Sequence, residues 1–181
     1  TCRGYKPFVN YIGYCACNFL EGNEEYSLCF HNALVKWEGN INPPQPFCPP
    51  DQKTISTITD VIDNWFIPTA SMVFRIKYIE PLPDWFKNVY NGDYAIHLIL
   101  AHKGKIKYIN EIMSVYYRNS NSLSGNYSPI NNYLSLITLF RHFNYHTNRI
   151  YNKKIIKRVN SLRKSLVLAK LKRLIKFQYA V

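Results

Sequence analysis

The chain has 181 residues, with 23 Lys and Arg against 11 Asp and Glu, 47% hydrophobic residues and 15% aromatic ones. That length suits one globular domain, the apolar share is too high and the 19% charged share too low for a disordered chain, and ten Pro, seven Gly and five Cys fit neither collagen nor a disulfide scaffold. No run reaches the ~18 apolar residues of a membrane-spanning helix, and Thr1 to Lys6 lack the basic-then-apolar start of a signal peptide, so a soluble cytoplasmic chain is expected.

The charge is placed unevenly. Thr1 to Glu111 holds ten Lys and Arg against eleven acids, whereas Ile112 to Val181 holds thirteen against none. A basic stretch of that kind invites a polyanion, either anionic lipid headgroups or nucleic acid. The chain starts at Thr1, and its first thirty residues show no strand-turn-helix opening. It therefore reads as the later part of something longer, with residues 1–18 as an atypical leader.

Glu25 to Val35, EYSLCFHNALV, follows a polar stretch and predicts a buried strand. Asn42 to Pro50 packs five prolines into nine residues and predicts an irregular surface excursion. Thr54 to Trp65 places Ile55, Ile58, Ile62 and Trp65 at helical spacing, with Asp60 and Asp63 on other faces. After Pro68, Ala70 to Ile76 is an apolar strand-length run broken only by Arg75. Asn91 to Gly104 predicts a helix buried on most sides, with Asn91 as cap, Asp93 at its positive end and Gly104 closing it in the left-handed region. Two strand-like runs follow, Lys105 to Ile109 and Ile112 to Tyr117, around Asn110 and Glu111.

Beyond a polar loop over Asn119 to Pro129, Tyr133, Ile137, Phe140 and Phe143 recur at helical steps within Asn131 to Arg149. A longer amphipathic helix is predicted over Asn152 to Gln178. Ile155, Val159, Leu162 and Leu166 form its stripe, which continues slightly rotated through Leu171, Leu174 and Ile175, and ten Lys and Arg line the rest.

Cys2, Cys15, Cys17, Cys29 and Cys48 are odd in number and show no paired spacing, which favours reduced or buried thiols over zinc or disulfides. His142 and His146, four apart, have the spacing of a two-histidine metal site, but no Asp or Glu lies within thirty residues to complete it. No serine in Ser120 to Ser128 has an organised His and acid partner.

Five blocks carry a resemblance: FLEGNEEYSLCFHNA (Phe19 to Ala33), FIPTASMVFR (Phe66 to Arg75), LPDWF (Leu82 to Phe86), NGDYAIHLILAHKGKIKYINE (Asn91 to Glu111) and MSVYYR (Met113 to Arg118). In this order they resemble the family-two glycosyltransferases, inverting enzymes that use nucleotide sugars. The resemblance implies an α/β chain with a partial GT-A fold, a mixed sheet with flanking helices, in which residues 19–130 form the acceptor-side part of the catalytic domain and 131–181 a helical basic extension. It implies transfer of a sugar from a nucleotide-sugar donor to a polysaccharide or lipid-linked acceptor, such as a bacterial surface polysaccharide, by a form that lacks the donor-binding half.

By the same resemblance Asp93 stands where the family keeps its catalytic base, Trp85 where it lines the acceptor cleft, and Arg118 where an arginine neighbours the diphosphate. Each has a plainer alternative: stabilisation of a helix start worth about 0.3 to 1 kcal/mol for Asp93, a core or rim position for Trp85, and a solvated guanidinium for Arg118. Two departures stand out. Ser120 replaces the family's histidine two residues after the arginine, and no Asp-x-Asp, the motif that holds the Mg or Mn ion expected of the complete enzymes, occurs in the chain.

The competing function is a non-catalytic remnant whose basic C-terminal helix binds a protein partner or the anionic surface of a membrane through 152–181, at its inner face. The plainer reading is a domain-covering helix with a solvated charged face. Nucleic acid is not expected as a partner, since no aromatic platform is interleaved with the charge.

Overall fold

The apolar run that begins at Tyr26 folds as the strand its composition predicts. In the computed structural model, which describes residues 16–119 and 128–178, the first eight residues of β1 (Tyr26–Trp37) are buried, as a strand covered on both faces requires. Its partner is β5 (Lys105–Arg118), parallel to it from Tyr26 opposite Lys105 to Trp37 opposite Arg118. Three short strands complete the sheet: β2 (Gln45–Pro46) and β4 (Met72–Phe74) pair antiparallel with β1, and β3 (Ile55–Ser56) pairs antiparallel with β5. The order is β2-β1-β5-β3, with β4 also on β1. The helices are α1 (residues 16–22), α2 (Ile58–Asp63), α3 (Gly92–Lys103), α4 (Pro129–His146) and α5 (Asn152–Gln178). The chain is thus α/β, a mixed sheet flanked by helices.

It divides into two compact units. One comprises residues 16–81 and 96–119 and contains the sheet; the other comprises residues 82–95 and 128–178 and contains α4 and α5. Among the described residues no helix is long and apolar enough to cross a membrane.

Several predicted elements change once their partners are seen. The two runs around Asn110 and Glu111 are one strand: both residues are exposed, and the ladder absorbs them by shifting register, with His31 opposite Ile109, Asn32 opposite Ile112 and Ala33 opposite Ser114. Extra residues on one strand bulge without ending it. Asn32 sits at the shift, and its Oδ1 accepts from the N–H of Ala33 and of Cys48, each at 2.9 Å. That second bond fastens the proline-rich segment to the sheet. The segment is therefore not wholly a surface excursion: Cys48 is buried, and Gln45 and Pro46 pair with Val35 and Leu34, an edge position where proline's missing donor is tolerated.

The helix expected over Thr54 to Trp65 shrinks to Ile58–Asp63. Ile55 and Ser56 pair instead with Lys107 and Ile106 of β5, a ladder that helical periodicity cannot reveal, and both Ile55 and Trp65 stay exposed while Ile62 is buried. Asp60 starts the helix, accepting from the Thr57 N–H at 2.8 Å and pairing with Lys53. Burial pushes its carboxyl up, but the bonds from Lys53 and Thr57 outweigh that and hold it below the usual carboxylate value.

The strand expected over Ala70 to Ile76 is reduced to three half-buried residues between single 3-10 turns, Thr69–Ser71 and Ile76–Tyr78. Arg75, which interrupts the apolar pattern, anchors the edge: its guanidinium donates to the carbonyls of Tyr26 at 3.0 Å, Leu20 and Asn23. It ties the end of α1 to the start of β1.

Asn91 stands at the cap position of α3, its backbone carbonyl accepting from the Ala95 N–H at 3.0 Å, while Gly104 at the other end is not the cap expected. The Asn91 side chain accepts from Ser135 Oγ of α4 at 2.5 Å. Gly104 is not left-handed, since Gly39 (φ 72°) alone has positive φ among the described glycines. A Cβ at Gly104 would lie 2.8 Å from the Glu25 carbonyl oxygen and 2.9 Å from the Ser27 nitrogen. Close passage of β1 selects glycine there.

The α4 helix begins at Pro129, two residues before the predicted start, because Ser128 Oγ accepts from the Asn131 N–H at 3.2 Å and proline suits the first turn. It ends at His146 rather than Arg149, as Asn148 (φ 50°) and Arg149 (φ 61°) turn left-handed. The predicted loop before it falls, over 120–127, outside the described residues. In the same unit Ile137, Leu139, Phe140 and Phe143 of α4 and Ile155, Val159 and Leu162 of α5 are buried. The later apolar residues of α5 do not continue this stripe slightly rotated: at about 100° per residue, Val167, Leu168, Leu171, Leu174 and Ile175 centre about 150° away from it, and all five are exposed.

Gly104→Ala is expected to cost about 1–3 kcal/mol, the range for forcing extra atoms into a packed site, read as a lower urea midpoint; an unchanged midpoint would show that β1 can move aside. Burial pushes the Cys29 thiol up to about 12 and that of Cys48 up to about 11. Both thiols keep their protons in the fold above the pH at which an unfolded thiol loses its own, so they contribute stability below about pH 8.5 that is lost as pH rises toward those values. Iodoacetamide at pH 8 should leave both unmodified in peptide mass spectra of the folded protein and label both in urea.

Candidate functional site

Two of the three sequence-selected side chains lie in residues 82–95. Pro83 precedes a 3-10 helix, Asp84–Asn88, that carries Trp85. The next residue, Phe86, sets its ring 3.4 Å from where a Cβ on Gly92 would lie. Asp93 follows in the first turn of α3, half-buried, with its Oδ1 accepting from the Tyr94 N–H at 2.8 Å. The carboxylate thus sits at the positive end of the helix, where the macrodipole favours its charge.

Trp85 is half-buried and held by α4 of the same unit. Its ring lies parallel to that of His142 (5°, centroids 6.1 Å apart) and tilted to that of His146 (60°, 5.8 Å). The four-residue spacing of the two histidines gives them a shared face, and the structure turns that face on a tryptophan. The Trp85 Nε1 is buried and has no hydrogen-bond partner among the described residues, an arrangement that costs stability in a folded chain.

These groups line an open cleft of about 590 Å3, completed by Pro83, Asp84, Asn88, Tyr145 and Asn148. Asn148 reaches it because Thr147 donates to Phe143 through both its N–H and its Oγ1, and the next two residues reverse the chain in the left-handed region, which asparagine tolerates. An aromatic platform edged by amides, a carboxylate, a phenol and imidazoles offers an apolar face and planar hydrogen-bonding groups together. That combination suits a flat, polyhydroxylated ligand. Asp93 is not among the cleft-lining residues.

Arg118 belongs to the other unit. It ends β5, opposite Trp37 of β1, and its guanidinium lies 5.1 Å from the Trp37 ring centroid and 5.3 Å from that of Tyr116. With its cation over two rings it is not a freely solvated side chain; its Nε is buried without a hydrogen-bond partner among the described residues. A second cavity, about 290 Å3, opens beside it between the ends of β1 and β5, with Lys36, Glu38 and Tyr117 on its wall.

The donor set does not fit the divalent cation that the resemblance implies. The sequence has no Asp-x-Asp, and among the described residues no three of His, Cys, Asp and Glu come together. Asp60 is engaged by Thr57 and Lys53. Ser120 lies outside the described residues. The chain matches no family model, no curated protein and no solved structure.

Sequence reading missed the role of the histidine pair. Their spacing was visible, but its meaning depended on Trp85, more than fifty positions away. Trp85→Ala should shift the ring protons of His142 and His146 in NMR spectra, by removing the ring current that acts on them; unshifted resonances would show that the stack is absent in solution.

Proposed function

We propose that this chain is the acceptor-side portion of an inverting family-two glycosyltransferase with a partial GT-A fold, acting on a polysaccharide or lipid-linked glycan with a nucleotide sugar as donor. The reading is carried by the cleft around Trp85, whose aromatic platform and planar polar rim suit a sugar ring. By the resemblance Asp93, in the first turn of α3 and outside the cleft lining, is the base.

The reaction needs little else from these residues. Asp93 takes the proton of the acceptor hydroxyl as its oxygen attacks the anomeric carbon, the bond from that carbon to the diphosphate oxygen breaks, and the nucleoside diphosphate leaves from the opposite face. Trp85 holds the acceptor ring so that the hydroxyl is presented in line. The resemblance alone gives Arg118, whose guanidinium lies over the Trp37 and Tyr116 rings of its own unit, the part of meeting the departing diphosphate.

In a protein that joins this chain to a donor-binding half, release of nucleoside diphosphate in the presence of an oligosaccharide acceptor tests the reading. Asp93→Asn is expected to lower the rate at least about a hundredfold while leaving glycan binding intact, and Trp85→Ala to weaken glycan binding. Equal rates for Asp93→Asn and the unmodified protein would remove Asp93 as the base. Glycan binding that needs Trp85, with no release from any donor, would make the chain a non-catalytic binding remnant.

A further inference from the structure

The last third of α5 presents an apolar surface that nothing in its own unit uses. Ile155, Val159, Leu162 and Leu166 fall within about 60° of one another around the helix axis at about 100° per residue, and the first three are buried. From Val167 onward the apolar side switches. Val167, Leu168, Leu171, Leu174 and Ile175 occupy an arc of about 120° on nearly the opposite side, each between 49% and 64% exposed. Lys170, Lys172 and Arg173 fill the remaining arc, and Lys164 closes the apolar one a turn earlier.

Two features narrow what can cover this arc. First, no acid occurs from Ile112 to Val181, against thirteen Lys and Arg, so the partner carries negative charge. Secondly, the face between the cations is aliphatic. A phosphodiester backbone satisfies the cations but gives Leu171 and Ile175 nothing to bury against, and a second copy of the helix would bring cation to cation. The boundary between the anionic headgroups and the acyl chains of a lipid leaflet meets both demands at once, with the helix lying in the plane, its apolar arc down, Lys170 and Lys172 at headgroup level about 100° to either side of the arc's centre, and Arg173 above them.

We infer that residues 164–175 of α5 form an in-plane anchor for an anionic lipid surface. The inference rests on α5 alone and is independent of the transfer reading. The segment is about 18 Å long at 1.5 Å per residue, and its five large apolar side chains supply a modest, reversible attachment rather than a span.

Flotation of the intact chain with vesicles of phosphatidylcholine and phosphatidylglycerol in about a 7:3 ratio tests it, with pure phosphatidylcholine vesicles as the neutral comparison. The unmodified chain is expected to float with the anionic vesicles and to be left behind by the neutral ones. Raising salt from about 0.1 M to about 1 M, which shortens the screening length from about 10 Å to about 3 Å, should release it. Lys170→Gln, Lys172→Gln and Arg173→Gln together should weaken binding about a hundredfold, at about fivefold per cation. Leu171→Gln with Leu174→Gln, which leaves the charge unchanged, should weaken it more than about tenfold. All five positions are exposed, and an unchanged circular dichroism spectrum verifies that each variant folds.

Failure of the unmodified chain to float with anionic vesicles overturns the inference, as does flotation that survives either set of changes. So does binding to duplex nucleic acid that needs the cations but not Leu171 and Leu174, if the vesicles do not compete. A lipid-free dimer that the Leu171→Gln, Leu174→Gln variant dissolves would assign the arc to a second copy and likewise overturn it.

Discussion

Parallel pairing of β1 with β5 is the constraint on which the sheet depends. The two strands run together from Tyr26 opposite Lys105 to Trp37 opposite Arg118, and each of the three shorter strands is attached to one of them. Parallel neighbours cannot be joined by a tight turn, so the chain between them has to be long, and it contains α2, the three short strands and α3. Gly104 shows how closely the return is made, because β1 passes within van der Waals distance of its missing side chain. Asn32 shows how register irregularity is used: the side chain at the shift reaches across to the Cys48 N–H and turns a bulge into a fastening for the proline-rich segment.

Aromatic faces set the two sequence-selected side chains that lie beside cavities. Trp85 is oriented by His142 and His146 in the unit that holds α4 and α5, and Arg118 by Trp37 and Tyr116 in the unit that holds the sheet. In each case a planar group lies against aromatic rings. Orientation of this kind survives changes of salt and leaves polar atoms for a ligand, a property that suits recognition of hydroxylated rings and oxyanions. The cationic, aliphatic end of α5 belongs to a different class of surface, one whose attraction to charge is screened by salt and whose apolar arc favours a soft boundary over a shaped pocket.

The cleft was only half legible beforehand. Trp85 stood out through the resemblance of its surrounding block and does line the cleft, whereas Asp93, which stood out in the same way, does not. His142, Tyr145 and Asn148 did not stand out as cleft residues, since spacing along α4 tells which side chains share a face but carries no information about the aromatic ring from a distant segment that the face meets. Arg75 was misjudged for a related reason. A charged residue in an apolar run reads as a break, yet three carbonyls converge on this one and make it an anchor.

What the sequence determined by itself was the set of interactions within a few residues of one another. The start of β1, the extents of α3 and α5 and the confinement of net positive charge beyond Glu111 follow from local sterics, hydrogen-bonding capacity and composition. Tertiary structure alone decided the rest: that Ile55 and Ser56 join a ladder and leave the helix, that Asn110 and Glu111 interrupt nothing, that Gly104 is glycine for lack of room, and that the apolar arc after Leu166 turns away from the buried stripe. Periodicity shows that a face is apolar. Which surface covers it depends on pairings between residues far apart in the chain, and those are selected by the free energy of the whole assembly, to which no short window of sequence has access.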